Sequence, residues 1–208
     1  GGERYFESRN QAMVAKPFRP VLVTGQSGGG KSALVANWVK EWSRRHNEAA
    51  VIVHHLGCGA DAADPVKLAM RLMQEIARLT GDAFKPESDP DKQLKQLPIW
   101  LATGSAWAQR TQRSLLIVLD GLDKVSDRSH LRWFPSFLPP QIHLVASCLD
   151  GEILAAAKSR LDWSELQVKP FTRTEQNRFI KEYLGRYRKS LPAGPVRVLQ
   201  AHPLSGNP

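Results

Sequence analysis

Residues 21–39 read VLVTGQSGGGKSALVANWV, and this stretch is the most informative part of the chain about its fold. It begins with a short apolar run, passes through a glycine-rich loop and continues as a helical pattern. The loop matches the G-x-x-x-x-G-K-[ST] pattern of phosphate-binding loops, and a preceding strand and a following helix are the context which that pattern requires. The fixed positions of the pattern are Gly25, Gly30, Lys31 and Ser32. The stretch therefore predicts a phosphate-binding loop between a strand and a helix.

The residue types of the loop suit a nucleotide phosphate. Glycines let successive backbone N–H groups point inward and form an anion nest, and the helix that follows adds the positive end of its dipole. Lys31 can reach the β- and γ-phosphates, and the hydroxyl of Ser32 can bind Mg²⁺. The residues that we expect to contact the nucleotide are Gly25, Gln26, Ser27, Gly28, Gly29, Gly30, Lys31, Ser32 and Ala33.

Strand patterns alternate with helical patterns along the rest of the chain. The predicted strands are residues 21–24, 50–56, 115–119, 142–147 and 166–168. The predicted helices are residues 30–45, 66–79, 92–113 (broken or restarted at Pro98), 151–161 and 172–189. Helical patterns also cover the first 16 residues and begin again at Ala193. This alternation predicts an α/β fold, a doubly wound and mainly parallel sheet with helices on both faces. Ligands of such sheets bind beyond the carboxyl ends of the strands.

Composition and cysteine usage narrow the class of protein. Of the 208 residues, 42% are hydrophobic and 24% are charged, which is ordinary for a globular domain. The two cysteines, Cys58 and Cys148, are far apart and lack metal-type spacing, which favours a reducing, cytoplasmic location. The sequence contains no apolar run as long as a membrane span and no signal peptide, so we expect no membrane partner.

The net charge of +9 is compatible with nucleic-acid binding, since basic patches attract anions. The lysines and arginines are scattered, however, and the densest clusters, Arg44-Arg45 and residues 186–189, lie at predicted helix ends, where cations suit the helix dipole. The pattern favours a solvated basic surface over a nucleic-acid face. A DNA-dependent ATPase remains an alternative, and salt-dependent DNA binding would support it.

Two acids follow the third predicted strand, in the segment LLIVLDGLD that begins at Leu115. Asp120 stands at the carboxyl end of the strand, where beside a phosphate loop it would hold Mg²⁺ directly or through water. Asp123 could orient or deprotonate the attacking water. The alternative for Asp123 is a turn residue in a tight D-G-L-D bend.

The fourth predicted strand, residues 142–147, should lie beside the first and bring Ser147 and Cys148 near the γ-phosphate. Ser147 could contact that phosphate by a hydrogen bond, whereas Cys148 is better explained as a small buried hydrophobic residue than as a nucleophile. His54 and His55 close the second strand. Because neighbouring residues of a strand point to opposite faces, the two histidines cannot easily share one metal ion.

These residues resemble a known family. The sequence LDGLD at 119–123 resembles the second nucleotide motif of the STAND signalling NTPases, specifically their NACHT-like branch. Further stretches are similar to nephrocystin-like and telomerase-associated members: VIVHHLG at 51–57, LRWFPSFLPPQ at 131–141 and LQVKPFTRTEQ at 166–176. The final HPLSGNP is similar to a lid motif whose proline packs near the adenine, which implies that Pro208 contacts the nucleotide. Residues 1–5 look like the segment that flanks the base.

The resemblance implies a P-loop NTPase core over residues 1–169 and the start of a C-terminal helical lid over residues 170–208, with a winged helix following in the family. It implies ATP or ADP with Mg²⁺ as ligands. It also implies a signalling switch, closed with ADP and open and homo-oligomeric with ATP, whose effector and sensor domains lie outside this chain.

Two positions depart from the family pattern. Lys124 stands where the branch often has a second acid, and Cys148 stands where many members have an arginine. Both changes remove groups that promote hydrolysis, and an arginine at the γ-phosphate can be worth several orders of magnitude in rate. We therefore expect slow ATP hydrolysis with Lys31 and Asp123 as catalytic residues, and a faster rate in Cys148→Arg. A non-hydrolysing nucleotide-bound scaffold and a small-molecule kinase are the alternatives.

Overall fold

The computed structural model describes residues 19–126 and 131–202. Within them, one five-stranded sheet has the order β2-β3-β4-β1-β5, and every pairing is parallel. The strands are β1 (Val21–Thr24), β2 (Ala50–His55), β3 (Leu115–Asp120), β4 (Ile142–Cys148) and β5 (Ser164–Gln167). The predicted placement of the fourth strand beside the first is confirmed, since Val21 pairs with Val145 and Thr24 with Cys148.

Helices cover both faces of this sheet, as the sequence predicts. The α-helices among the described residues are α1 (Lys31–Arg45), α2 (Pro65–Thr80), α3 (Pro90–Lys95), α4 (Leu97–Thr111), α5 (Glu152–Arg160), α6 (Arg173–Arg186) and α7 (Ala193–Ala201), and the 3₁₀ turns are Ala60–Ala63 and Leu122–Lys124. No helix of the described ranges is long and apolar enough to cross a membrane.

Strand β3 is buried along its whole length. It shows no alternation of polar and apolar residues because both faces of the sheet are covered. Alternate residues of the strand therefore belong to two hydrophobic clusters, one on each face. The larger cluster takes Leu115, Ile117 and Leu119 and includes side chains of α2, α4 and α5. The smaller takes Leu116 and Val118 and includes side chains of α1.

Local sequence signals set the ends of two helices. Asp64 precedes α2, its side chain accepts a hydrogen bond from the backbone N–H of Lys67, and Pro65 occupies the first turn, where its missing N–H is tolerated. Helix α6 begins with a complete capping box between Thr172 and Glu175, which satisfies two backbone N–H groups that the helix leaves unpaired.

The helical region predicted over 92–113 consists of two helices, and the predicted restart near Pro98 is confirmed. The break falls at Gln96, between α3 and α4, and Pro98 lies within the first turn of α4. A proline in the first turn removes no intrahelical hydrogen bond, so it begins a helix rather than interrupting one. The helical pattern of the first 16 residues and the predicted nucleotide contact at Pro208 lie outside the described residues.

Candidate nucleotide-binding site

The glycine-rich loop lies between the carboxyl end of β1 and the first residue of α1. Three of its glycines have positive φ angles: 143° at Gly25, 71° at Gly28 and 85° at Gly30. A Cβ atom on Gly25 would lie 2.6 Å from the carbonyl oxygen of Val168, just after β5. The backbone path of the loop therefore requires glycine at this position, both for its conformation and for its close approach to a neighbouring strand.

The first turn of α1 is suited to an anion. Gly30 provides no side-chain cap, and the first turn contains no acidic residue. The first N–H groups of a helix have no partner within the helix, and the helix dipole makes this end positive. The exposed residues Gln26, Ser27, Gly28 and Ala33 lie along the same loop and turn. The arrangement fits the phosphate groups that the sequence predicts here.

Lys31 holds a positive charge inside the loop. Its Nζ donates hydrogen bonds of 2.8 Å to the carbonyl oxygens of Gly25 and Gln26, and the residue is only 9% exposed. Burial lowers the pKa of its ammonium group, and the carboxylates of Asp123 and Asp120 act in the opposite direction. A phosphate anion beside this group would favour its charged form.

Asp120 and Ser32 meet at the carboxyl edge of the sheet, although 88 residues separate them. The Ser32 hydroxyl donates a 3.0 Å hydrogen bond to Oδ1 of Asp120, and Asp120 is 7% exposed. Strands β1 and β3 are not neighbours, because β4 lies between them. The contact with Asp120 at the end of β3 is therefore made by Ser32, in the first turn of α1. A hydroxyl and a carboxylate are oxygen ligands of the kind that Mg²⁺ takes together with nucleotide phosphates.

Ser147 supports Asp120 from the neighbouring strand. Its hydroxyl donates a 2.6 Å hydrogen bond to Oδ1 of Asp120 and accepts a 2.8 Å hydrogen bond from the backbone N–H of Gly121. The residue is 1% exposed. The hydroxyl is therefore already engaged with the turn after β3, and its predicted contact with a γ-phosphate stays a prediction.

Asp123 is held from two sides. Its Oδ1 accepts a 2.9 Å hydrogen bond from the backbone N–H of Leu149, and its Oδ2 lies 3.2 Å from Nζ of Lys124. The side chain is 14% exposed. The hydrogen bond to Leu149 joins the turn after β3 to the loop after β4. Asp123 lies in the turn that follows β3, where the alternative to a catalytic role is that of a turn residue.

Cys148 is fully buried in the larger hydrophobic cluster. Burial raises the pKa of its thiol to about 12, with Asp123 acting in the same direction. The thiol is protonated at neutral pH, which matches the interpretation of Cys148 as a small hydrophobic residue rather than a nucleophile. An arginine at this position would have to place its guanidinium group within the core.

His55 is a residue of this site that the sequence did not assign to it. Its Nδ1 lies 3.1 Å from Oδ2 of Asp120, at the end of the strand that borders β3. The signal for it was indirect: two parallel strands that end in His55 and Asp120 bring both residues to the same edge if the strands are neighbours. The pattern of residues 50–56 alone does not say which strand lies beside this one.

Comparison with known proteins gives the family. The model of the NACHT domain family matches residues 19–187. Nephrocystin-3 from Homo sapiens is 29% identical over 150 residues, which cover 71% of this chain and 11% of that protein. A TPR repeat-containing protein from Dictyostelium discoideum is 24% identical over 210 residues, covering 83% of this chain and 13% of that protein. The chain thus spans less than a sixth of either relative.

Two solved structures share the fold of this chain. A STAND protein with a tetratricopeptide repeat sensor from Pyrococcus horikoshii superposes with a TM-score of 0.50 at 13% identity, over 96% of this chain and 28% of that chain. AMPPCP-bound DnaA from Aquifex aeolicus also gives 0.50, at 12% identity, over 96% of this chain and 56% of that chain. Since the family model covers well over half of the residues, the chain belongs to the NACHT domain family and is a nucleotide-binding P-loop NTPase domain.

Proposed function

We propose that this chain is the ATP- and ADP-binding domain of a STAND-type signalling switch, in which slow Mg²⁺-dependent hydrolysis of ATP controls conformation and oligomerisation. The observation that carries the proposal is the hydrogen bond between Ser32 and Asp120, next to a loop that already holds the buried charge of Lys31. A hydroxyl, a carboxylate and a lysine at the start of a helix are the groups that phosphoryl-transfer sites bring together.

The roles follow from these positions. The loop from Gly25 to Ala33 and the ammonium group of Lys31 would bind the phosphates, and Ser32 and Asp120 would hold Mg²⁺. When bound, the metal supplies positive charge that neutralises phosphate oxygens as the reaction proceeds. Ser147 keeps Asp120 in place through its 2.6 Å hydrogen bond.

Slow hydrolysis is supported by the surroundings of Asp123 and Cys148. The carboxylate of Asp123 is tied to Leu149 and Lys124, which restrains the group that we propose as the water-orienting residue. Cys148 adds no charge, because its thiol is buried and protonated. We infer that a cation from another domain or subunit completes the site.

The same contacts favour a second candidate, a nucleotide-bound scaffold that does not hydrolyse ATP. If Asp123 acts only as a turn residue, the domain would bind nucleotide without hydrolysing it. Single-turnover hydrolysis with the enzyme in excess separates the two candidates. A rate of phosphate release above that of free ATP supports the switch, and no release supports the scaffold.

The proposed function also concerns the domains of this chain and of the protein around it. We propose a nucleotide-binding core that ends at residue 169 and a helical lid that begins with α6 and α7, in a cytoplasmic protein with further effector and sensor domains. Tetratricopeptide repeats in such a sensor are supported by the names of the Dictyostelium relative and the Pyrococcus structure. Self-association in the ATP-bound form is part of the same proposal.

The experiment compares two lysines of α1 by calorimetry with ADP and Mg²⁺. Lys31→Ala removes the ammonium group inside the loop, and we expect a loss of at least about 10-fold in affinity, since hydrogen bonds to charged groups contribute roughly 1.5–3 kcal/mol each. Lys40→Ala is the matched control, because Lys40 is exposed on the same helix. Equal affinities for Lys31→Ala and the wild type would refute the proposed site.

A further inference from the structure

The two histidines at the end of β2 have different surroundings. His54 is 5% exposed, and its Nε2 lies 3.1 Å from the carbonyl oxygen of Ala62. The side chain of His55 points the other way and is 49% exposed. In the register of the sheet, His55 is the direct partner of Asp120, the residue proposed to hold the metal.

The contact between His55 and Asp120 has one hydrogen-bond direction. A carboxylate oxygen only accepts, so the proton lies on Nδ1 of the imidazole, which donates across 3.1 Å to Oδ2 of Asp120. The backbone supports this position, because the N–H of Leu56 donates a 2.9 Å hydrogen bond to the carbonyl oxygen of Asp120. The two strand ends are therefore fixed beside each other.

Asp120 consequently has different donors on its two oxygens. Ser32 and Ser147 donate to Oδ1, while His55 donates to Oδ2. The torsion that rotates a carboxylate about its Cβ–Cγ bond has a broad energy profile. A donor on Oδ2 therefore limits this rotation and keeps Oδ1 on the side of the Ser32 hydroxyl.

We propose that His55 is a positioning residue for the metal of the nucleotide site: it orients the Asp120 carboxylate towards Mg²⁺ without contacting the ion itself. This inference rests on the proposed function. Partners that hydrogen-bond to a ligating carboxylate commonly change metal affinity by about 10- to 100-fold when they are removed. The alternative is a purely structural contact between the ends of β2 and β3. Its loss would change the stability of the fold and leave metal affinity unchanged.

The test uses two substitutions of the same residue. His55→Asn keeps an amide N–H donor near the position of Nδ1, and His55→Leu removes the donor with a side chain of comparable size. His46→Ala is the control, because His46 is an exposed histidine just after α1. Binding of Mn²⁺, as a spectroscopic substitute for Mg²⁺, is followed by electron paramagnetic resonance in the presence of saturating ADP. ADP affinity in EDTA and the urea midpoint of unfolding are measured in parallel.

We expect His55→Leu to bind Mn²⁺ about 10- to 100-fold more weakly than the wild type, with unchanged ADP affinity in EDTA, and His55→Asn to restore most of the metal affinity. Unchanged Mn²⁺ affinity in a folded His55→Leu protein would overturn the inference, as would an equal loss in His55→Asn and His55→Leu. If the wild type bound no ADP, both the proposed function and this inference would be wrong. If all variants bound ADP and Mn²⁺ like the wild type, only this inference would be wrong.

Discussion

Both oxygens of the Asp123 carboxylate have partners within the protein. Its contacts to Leu149 and Lys124 allow two roles, orientation of water or support of the bend. We expect Asp123→Asn, which keeps an oxygen acceptor for the N–H of Leu149, to lower single-turnover ATP hydrolysis while nucleotide affinity stays unchanged. A wild-type rate in Asp123→Asn would leave the bend as the only role of this residue.

Burial at position 148 changes what is expected of Cys148→Arg. The family pattern favours a faster reaction with arginine here, but the side chain at this position lies in the hydrophobic core. An uncompensated buried charge costs roughly 3–5 kcal/mol, so we expect a large decrease in the free energy of unfolding, measured by urea denaturation, and no gain in rate. Cys148→Ala is the control for loss of the thiol. A folded Cys148→Arg protein that hydrolyses ATP faster would contradict this expectation and restore the original one.

Among the elements, β5 and the glycine-rich loop depend on each other. The N–H of Val168 donates a 2.8 Å hydrogen bond to the carbonyl oxygen of Thr24, and a Cβ on Gly25 would collide with the carbonyl oxygen of Val168. We expect Gly25→Ala to lower the free energy of unfolding by about 1–3 kcal/mol because of backbone strain. It should also weaken ADP binding.

A second glycine provides the matched control for that substitution. Gly185 lies within α6, and a Cβ there would meet no atom of the described residues within 4 Å. Alanine is favoured over glycine inside a helix by about 0.5–1 kcal/mol, so Gly185→Ala should be neutral or stabilising in the same urea titration. Equal effects of the two substitutions would contradict the proposed contact between the loop and β5.

The buried end of β2 predicts a dependence of stability on pH. Burial lowers the pKa of His54, so its neutral form is favoured in the fold. As the pH falls below about 6.5, the unfolded chain takes up the proton first. The contribution of His54 is therefore present above that pH and declines in acid.

The variant His54→Gln separates this effect from other titrating groups. Its amide can still donate to the carbonyl oxygen of Ala62, but it does not titrate. Between about pH 7.5 and 5.5, we expect the wild type to lose more of its free energy of unfolding than His54→Gln does. Parallel losses in the two proteins would show that another group, such as the partly buried His143, whose pKa is also lowered by burial, accounts for the slope.

Elements differ in how far local sequence determines them. The phosphate loop, the buried strand before Asp120 and the capping box at Thr172 are patterns of neighbouring residues, and the structure confirms each of them as an element. The contact between His55 and Asp120 depends on β2 lying beside β3. The neighbour of β2 is set by pairing with a distant segment, and the local pattern of β2 does not encode it.

The parallel sheet brings the residues of the site together. The carboxyl ends of β1, β2, β3 and β4 bring the loop, His55, Asp120 and Ser147 to one edge. Side chains that are up to 115 residues apart in sequence, from Ser32 to Ser147, thus share one carboxylate. The sequence could predict that Asp120 would lie next to the loop, but it could not predict that Ser147 and Asp123 would be engaged by backbone N–H groups, because those contacts arise from the packed loops.

We propose that the loop, Ser32 and Asp120 form one site for a nucleotide with Mg²⁺. The most direct measurement is a crystal structure of this chain with ADP and Mg²⁺. We expect the β-phosphate to lie against the backbone N–H groups of the loop, with Nζ of Lys31 within hydrogen-bonding distance of a phosphate oxygen. The metal should lie about 2.1 Å from Oγ of Ser32, with Asp120 beside it. A nucleotide bound elsewhere, or a metal ion remote from both Ser32 and Asp120, would contradict it.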